Sequence, residues 1–139
     1  TLFHPSCFAA SVRTATKTAR TIVSSTSNTA GSTTRGRLEL LTAFGGVLTL
    51  KMTNGGTGPT VQCSANVLVA HNATQPAAAS AGSDWKTILS VGNGTAANTI
   101  GEFSLNVSPA VMQLEVEFTG NTGQTVTVEA FFSELTSVS

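Results

Sequence analysis

Between Val111 and Phe132 the chain reads VMQLEVEFTGNTGQTVTVEAFF, with apolar residues at every second position on both sides of a glycine-containing turn. Met112, Leu114, Val116 and Phe118 alternate with Gln113, Glu115 and Glu117; Val126, Val128, Ala130 and Phe132 alternate with Thr125, Thr127, Glu129 and Phe131. A period of two sends one set to a core and the other to water, which demands β-strands and excludes a helix. With Asn121, Thr122 and Gly123 as a three-residue turn and Gly123 left-handed, the stretch reads as a hairpin pairing Phe118 with Val126 and Met112 with Phe132.

The rest of the chain repeats this pattern more weakly. Val61, Cys63, Ala65, Val67 and Val69 form one alternating run; Trp85, Thr87, Leu89 and Val91 form another, and Phe103, Leu105 and Val107 a third that Pro109 ends. Leu38–Phe44 and Val47–Thr53 flank Gly45-Gly46, which fits either a two-residue hairpin or one strand bent at the glycines. Seven or eight strands punctuated by turns, with no amphipathic helix, predict an all-β, jelly-roll-like β-sandwich in one domain. Its body is expected over 38–139. Residues 1–37 are expected as a Ser/Thr-rich basic arm carrying an edge strand near Thr18–Val23, followed by a loop. Residues 71–83 are small and polar enough for an exposed, functional loop.

Composition narrows the function. Charged residues are only 10% of the chain, against roughly 25% in soluble domains, so part of the surface is expected to be covered by something else. Net charge is zero, which gives no general attraction to nucleic acid or to a membrane. No run approaches the ~20 apolar residues of a membrane-spanning helix, and the first residues lack the apolar core of a signal peptide. Yet the charges are segregated. Arg13, Lys17, Arg20, Arg35 and Arg37 precede every acid, giving +5, while seven acids and two lysines follow, giving −5. Either this basic arm folds back over its own acidic body or it reaches a neighbour. The apolar residues of the arm, Phe3 and Phe8 among them, have no core of their own and are expected to pack on the body or another subunit.

The catalytic inventory is thin. Cys63, His71 and Asp84 would form a thiol triad only if the chain bent sharply, since Cys63 and His71 lie eight residues, or ~27 Å, apart along an extended strand. Cys7 and Cys63 match no zinc spacing and are expected as buried thiols, with one disulfide the alternative. Glu115 and Glu117, with Glu129 opposite, read as a solvated outer face or a patch meeting the basic arm. The glycine-rich stretches at 55–58 and 120–123 lack the lysine and helix of a phosphate loop. Neither catalysis, nor a metal or other cofactor, nor a small-molecule substrate is expected. Phe131 falls on the outward face of the last strand and reads as a contact with another subunit.

The order TNGGTGPT, an alternating strand, Asp84-Trp85-Lys86, a Phe-containing strand and VEFTGNTGQTVTVEAFFS resembles the cement or decoration proteins of tailed-phage heads. The resemblance spans residues 38–135 and is one of pattern. It implies a jelly-roll module on the outside of the head, a homodimer that binds the major capsid protein. Together with the arm, it makes Phe3, Phe8, Arg13, Lys17, Arg20 and Phe131 the candidate interface. Removing residues 1–20 is then expected to abolish binding and leave the β body folded.

Overall fold

The computed structural model describes residues 14–78 and 84–138. It contains eight strands: β1 (Ala15–Asn28), β2 (Thr34–Glu39), β3 (Gly46–Asn54), β4 (Ser64–Ala70), β5 (Lys86–Gly92), β6 (Ile100–Val107), β7 (Gln113–Thr119) and β8 (Val126–Val138). They make two antiparallel four-stranded sheets, ordered β1-β8-β3-β6 and β2-β7-β4-β5. Stacked face to face, these are the interleaved Greek keys of a jelly roll. The all-β sandwich expected from the alternation is therefore what forms.

The pairing of the C-terminal stretch is not. β7 and β8 belong to different sheets, so Val111–Phe132 is an arch over the core and no hairpin. Gly123 does take a positive φ of 81°, as the turn chemistry requires. Leu114, Val116, Phe118, Val126, Val128, Ala130 and Phe132 are all buried, but the two sets line opposite walls of the core. Gly45-Gly46 resolves in the same way. β2 and β3 lie in separate sheets, and Leu38, Leu40, Leu48, Leu50 and Met52 reach one core from both sides.

The Ser/Thr-rich stretch is also strand. β1 runs along β8 from Ala15 to Asn28, through residues expected as a loop, and Arg35 and Arg37 lie in β2. β1 carries one extra residue between Thr21 and Val23 and another between Val23 and Thr26, relative to Phe131, Ala130 and Val128 on β8. Such bulges kink the edge and spoil it as a template for aggregation. On this side the sandwich closes like a barrel. Gly36 of β2 approaches Ile22 of β1 so closely that an added Cβ would sit 2.2 Å from the Ile22 carbonyl oxygen.

Candidate functional site

Antiparallel pairing places the loops after β1, β3, β5 and β7 at one end of the sandwich, and the loops after β2, β4 and β6 at the other with the start of β1. The first end is locked by buried asparagines, with Val61 and Ile100 exposed beside them. Asn28 donates to the Asn121 side-chain oxygen at 2.6 Å, and Asn121 donates back to the Asn28 carbonyl at 3.0 Å. Asn93 donates to Asn54 at 2.9 Å, and Asn54 donates to the carbonyls of Gly94 and Ala96. All four asparagines are buried, and no buried side-chain nitrogen or oxygen among the described residues lacks a partner. A fully satisfied network of this kind rigidifies the loops it ties.

The opposite end exposes apolar side chains in one connection. Leu41 and Phe44, in the β2–β3 connection, are 42% and 51% exposed, and Val47 follows at the start of β3. Phe44 is held there by its N–H, which donates to the Leu135 carbonyl at 2.7 Å. Leu135 pairs with Lys17, so this apolar rim adjoins the root of β1, where the N-terminal arm begins.

The two outer faces differ as well. The outer face of β2-β7-β4-β5 is partly covered by its own chain. Gln113 donates to the Asn72 carbonyl at 2.9 Å, and Arg37 donates to the Pro76 carbonyl at 2.6 Å. Trp85 is buried beneath this strap and donates its indole N–H to the Ala77 carbonyl at 2.8 Å. The 71–78 part of the expected exposed loop is thus a cover, and Trp85 packs under it rather than in the inter-sheet core. Glu115, expected in water, is fully buried; Arg35 lies 3.5 Å from it and 3.1 Å from Glu117. Glu129 sits in the other sheet, so the three acids do not form a patch. In contrast, none of the described residues covers the outer face of β1-β8-β3-β6. Thr127, Phe131 and Ser133 on β8 are exposed there beside Val47, and Glu129, Thr49 and Lys51 are half-buried.

Of the interface residues read from sequence, Phe3, Phe8 and Arg13 lie outside the described residues, as does Cys7. Lys17 is exposed on β1. Arg20 turns to its own chain, donating to Glu134 at 2.8 Å and to the Glu39 carbonyl at 3.1 Å, which bridges the two sheets. With Arg35, it shows the described part of the basic segment folding back over the acidic body. Phe131 points outward at 39% exposure. Leu41, Phe44 and Val47 were missed as surface residues because their apolar run reads as core.

Cys63, His71 and Asp84 do not assemble. Cys63 is buried just before β4, His71 is exposed just after it, and Asp84 accepts a hydrogen bond from Asn72. Burial pushes the Cys63 thiol up to about 11, against a smaller opposing effect of a hydrogen bond with the Thr119 backbone. No group of three or more metal-ligating side chains occurs among the described residues.

No protein-family model matches this chain, and no curated protein sequence does. Solved structures do. The chain is similar to the K3 cleaved adhesin domain of Lys-gingipain from Porphyromonas gingivalis, at 12% identity and a TM-score of 0.56, covering 81% of this chain and 73% of that one. It is also similar to a chain in the structure of infectious bursal disease virus, at 11% identity and a TM-score of 0.50, covering 88% of this chain and 32% of the viral one. The SPBc2 prophage-derived protein YomS matches at 17% identity and a TM-score of 0.43, covering 86% and 95%. At these identities the likeness is one of fold.

Proposed function

We propose that this chain is a structural virion protein and not an enzyme. It seats the Leu41–Phe44 end of its jelly roll on the outer surface of an assembled phage head and bridges neighbouring major capsid protein subunits. The observation that carries this reading is the placement of the exposed Leu41 and Phe44 at the end of the sandwich where the apolar, basic arm is rooted. Exposed apolar groups next to such an arm gain most by burial against another protein. Phe3, Phe8 and Arg13 extend the same contact, with Lys17 at its edge.

Stabilisation follows from mass action, because a protein that binds only the assembled shell lowers the free energy of that shell. A homodimer adds avidity by engaging two capsomers at once. The alternative, a carbohydrate- or receptor-binding module of a tail appendage acting through the 71–83 and 92–98 loops, loses its aromatic platform because Trp85 is buried.

Sedimentation with empty heads that lack the protein tests the proposal. The intact chain should pellet saturably, whereas a chain lacking residues 1–13 and a Leu41→Ser/Phe44→Ser double variant should stay in the supernatant. The arm is best cut after residue 13. Deletion of 1–20 also removes Arg20, the sheet-bridging partner of the buried Glu134. Undiminished pelleting of both variants would refute the docking end.

A further inference from the structure

We infer that the outer face of β1-β8-β3-β6, uncovered among the described residues, carries a saccharide-binding groove distinct from the docking end. The two bulges of β1 lift its backbone off the ladder with β8 and open a cleft of about 320 Å³, lined by Arg20, Thr21, Ser24, Ser25, Glu129 and Phe131 among others. A second hollow of about 100 Å³ shares Ser25 and Glu129 with it and extends the cleft over β3 to Lys51, Thr53 and Thr127. The larger cleft lies at the lower end of ligand-site volumes, enough for about one hexose ring or a little more.

The chemistry of the lining selects among ligands. Arg20 is already paired with Glu134, and Lys51 leans toward Glu102 at 3.8 Å. Among the described residues Glu129 has neither an ion pair nor a side-chain hydrogen bond, so its carboxylate remains as a free acceptor. With both cations engaged, an anion meets the uncompensated carboxylate of Glu129. A neutral polyol suits the lining, because its hydroxyls can donate to Glu129 and exchange hydrogen bonds with Thr21, Ser24, Ser25 and Thr53. Phe131 supplies what a sugar also needs, an exposed ring for the C–H face of a pyranose.

A peptide strand is poorly served. The floor of the cleft is β8, whose backbone is paired on one side with β1 and on the other with β3, leaving no ladder for a further strand. Glu129 lies six residues along β8 from Leu135, or ~20 Å from the docking rim. A module seated on its Leu41–Phe44 end keeps the groove open to the surroundings. The assembled particle would thereby gain an adhesive face for neutral glycans.

The test screens the purified full-length chain on an array of neutral hexose, deoxyhexose and N-acetylhexosamine oligosaccharides. The best binder is then titrated by NMR against the parent, Phe131→Ala, Glu129→Gln and, as a control outside the groove, Ile100→Ala. Binding should shift amides of β1 and β8, and Phe131→Ala and Glu129→Gln should each weaken it by roughly tenfold or more, with Ile100→Ala unchanged. Phe131→Ala should still pellet with heads, so loss of glycan binding and loss of docking are read separately. An array without binders, or equal affinity for the parent, Phe131→Ala and Glu129→Gln, overturns the inference. So does a Phe131→Ala variant that loses the heads while the parent ignores every glycan, since the face would then be a docking contact.

Discussion

Replacing Gly36 by alanine should destabilise the sandwich, although alanine is among the mildest of substitutions. An ideal Cβ at position 36 lies 2.2 Å from the Ile22 carbonyl oxygen, 2.8 Å from Ile22 Cγ2 and 2.9 Å from the Ile22 carbonyl carbon. Comfortable carbon contacts begin near ~3.5 Å, so β1 or β2 must retreat by about an ångström. The nearest obstacle is backbone, which cannot swing aside as the tip of a side chain can. Overpacking of this kind costs about 1–3 kcal/mol, while the stiffer unfolded chain returns roughly 0.4–1 kcal/mol. The net loss is about 1–2 kcal/mol, or a fall in Tm of roughly 3–8 °C for a domain of this size. Thermal unfolding followed by circular dichroism, with urea titration to check that the m-value holds, measures it. Gly56→Ala is the control, because nothing lies within 4 Å of its Cβ and its φ is not positive; it should be neutral or slightly stabilising. An unchanged or raised Tm for Gly36→Ala would refute the tight seam between β1 and β2.

Asn121→Ala should cost about 1–3 kcal/mol in chemical denaturation, because it removes one of the two acceptors of the buried Asn28 side-chain amide, takes the side-chain donor from the Asn28 carbonyl and frees the 121–124 turn. Cys63 should resist thiol reagents in the native state at pH 8 and react on unfolding, as a colorimetric thiol assay would show. Its raised pKa also sets a sign. Above pH ~9 the unfolded thiol ionises while the folded one keeps its proton, so stability falls by up to about 3 kcal/mol between pH 9 and 11, and Cys63→Ser should flatten that decline. Trp85→Phe removes the indole bond to Ala77 and should cost about 1 kcal/mol. The parent's single tryptophan should emit in the blue-shifted range of a buried indole, and emission as in water would contradict the strap.

The alternation that makes this chain legible says which side chains face the core and nothing about which wall they line. Phe118 and Val126 obey the same period whether their strands pair or oppose each other. Six of the seven connections in this fold cross between the sheets, and only β4 and β5 are both consecutive and paired. Sequence order therefore suggested a hairpin where the chain builds an arch. The burial of Glu115 was hidden for a related reason: its cover, Arg35, lies 80 residues earlier in the chain. β1 was hard to read because Ser and Thr suit either face of a strand, and its bulges break what alternation remains. Of the candidate site, Phe131 was legible as an apolar residue out of phase. The groove beside it was not, since it depends on bulges that have no sequence period. Leu41 and Phe44 misled in the opposite direction, because their exposure follows from a turn at the rim of the sandwich, where the Phe44 N–H is tied to β8 and the side chain is left outside.

Electron cryomicroscopy of heads carrying the protein tests the docking claim most directly. The account predicts one sandwich orientation, with the Leu41–Phe44 rim and the start of β1 against the shell, the asparagine-locked end pointing away, and the β8 face open beside it. Particles with no density for the sandwich, or a sandwich lying flat on the shell through Phe131 with its Leu41–Phe44 end in solvent, would contradict it.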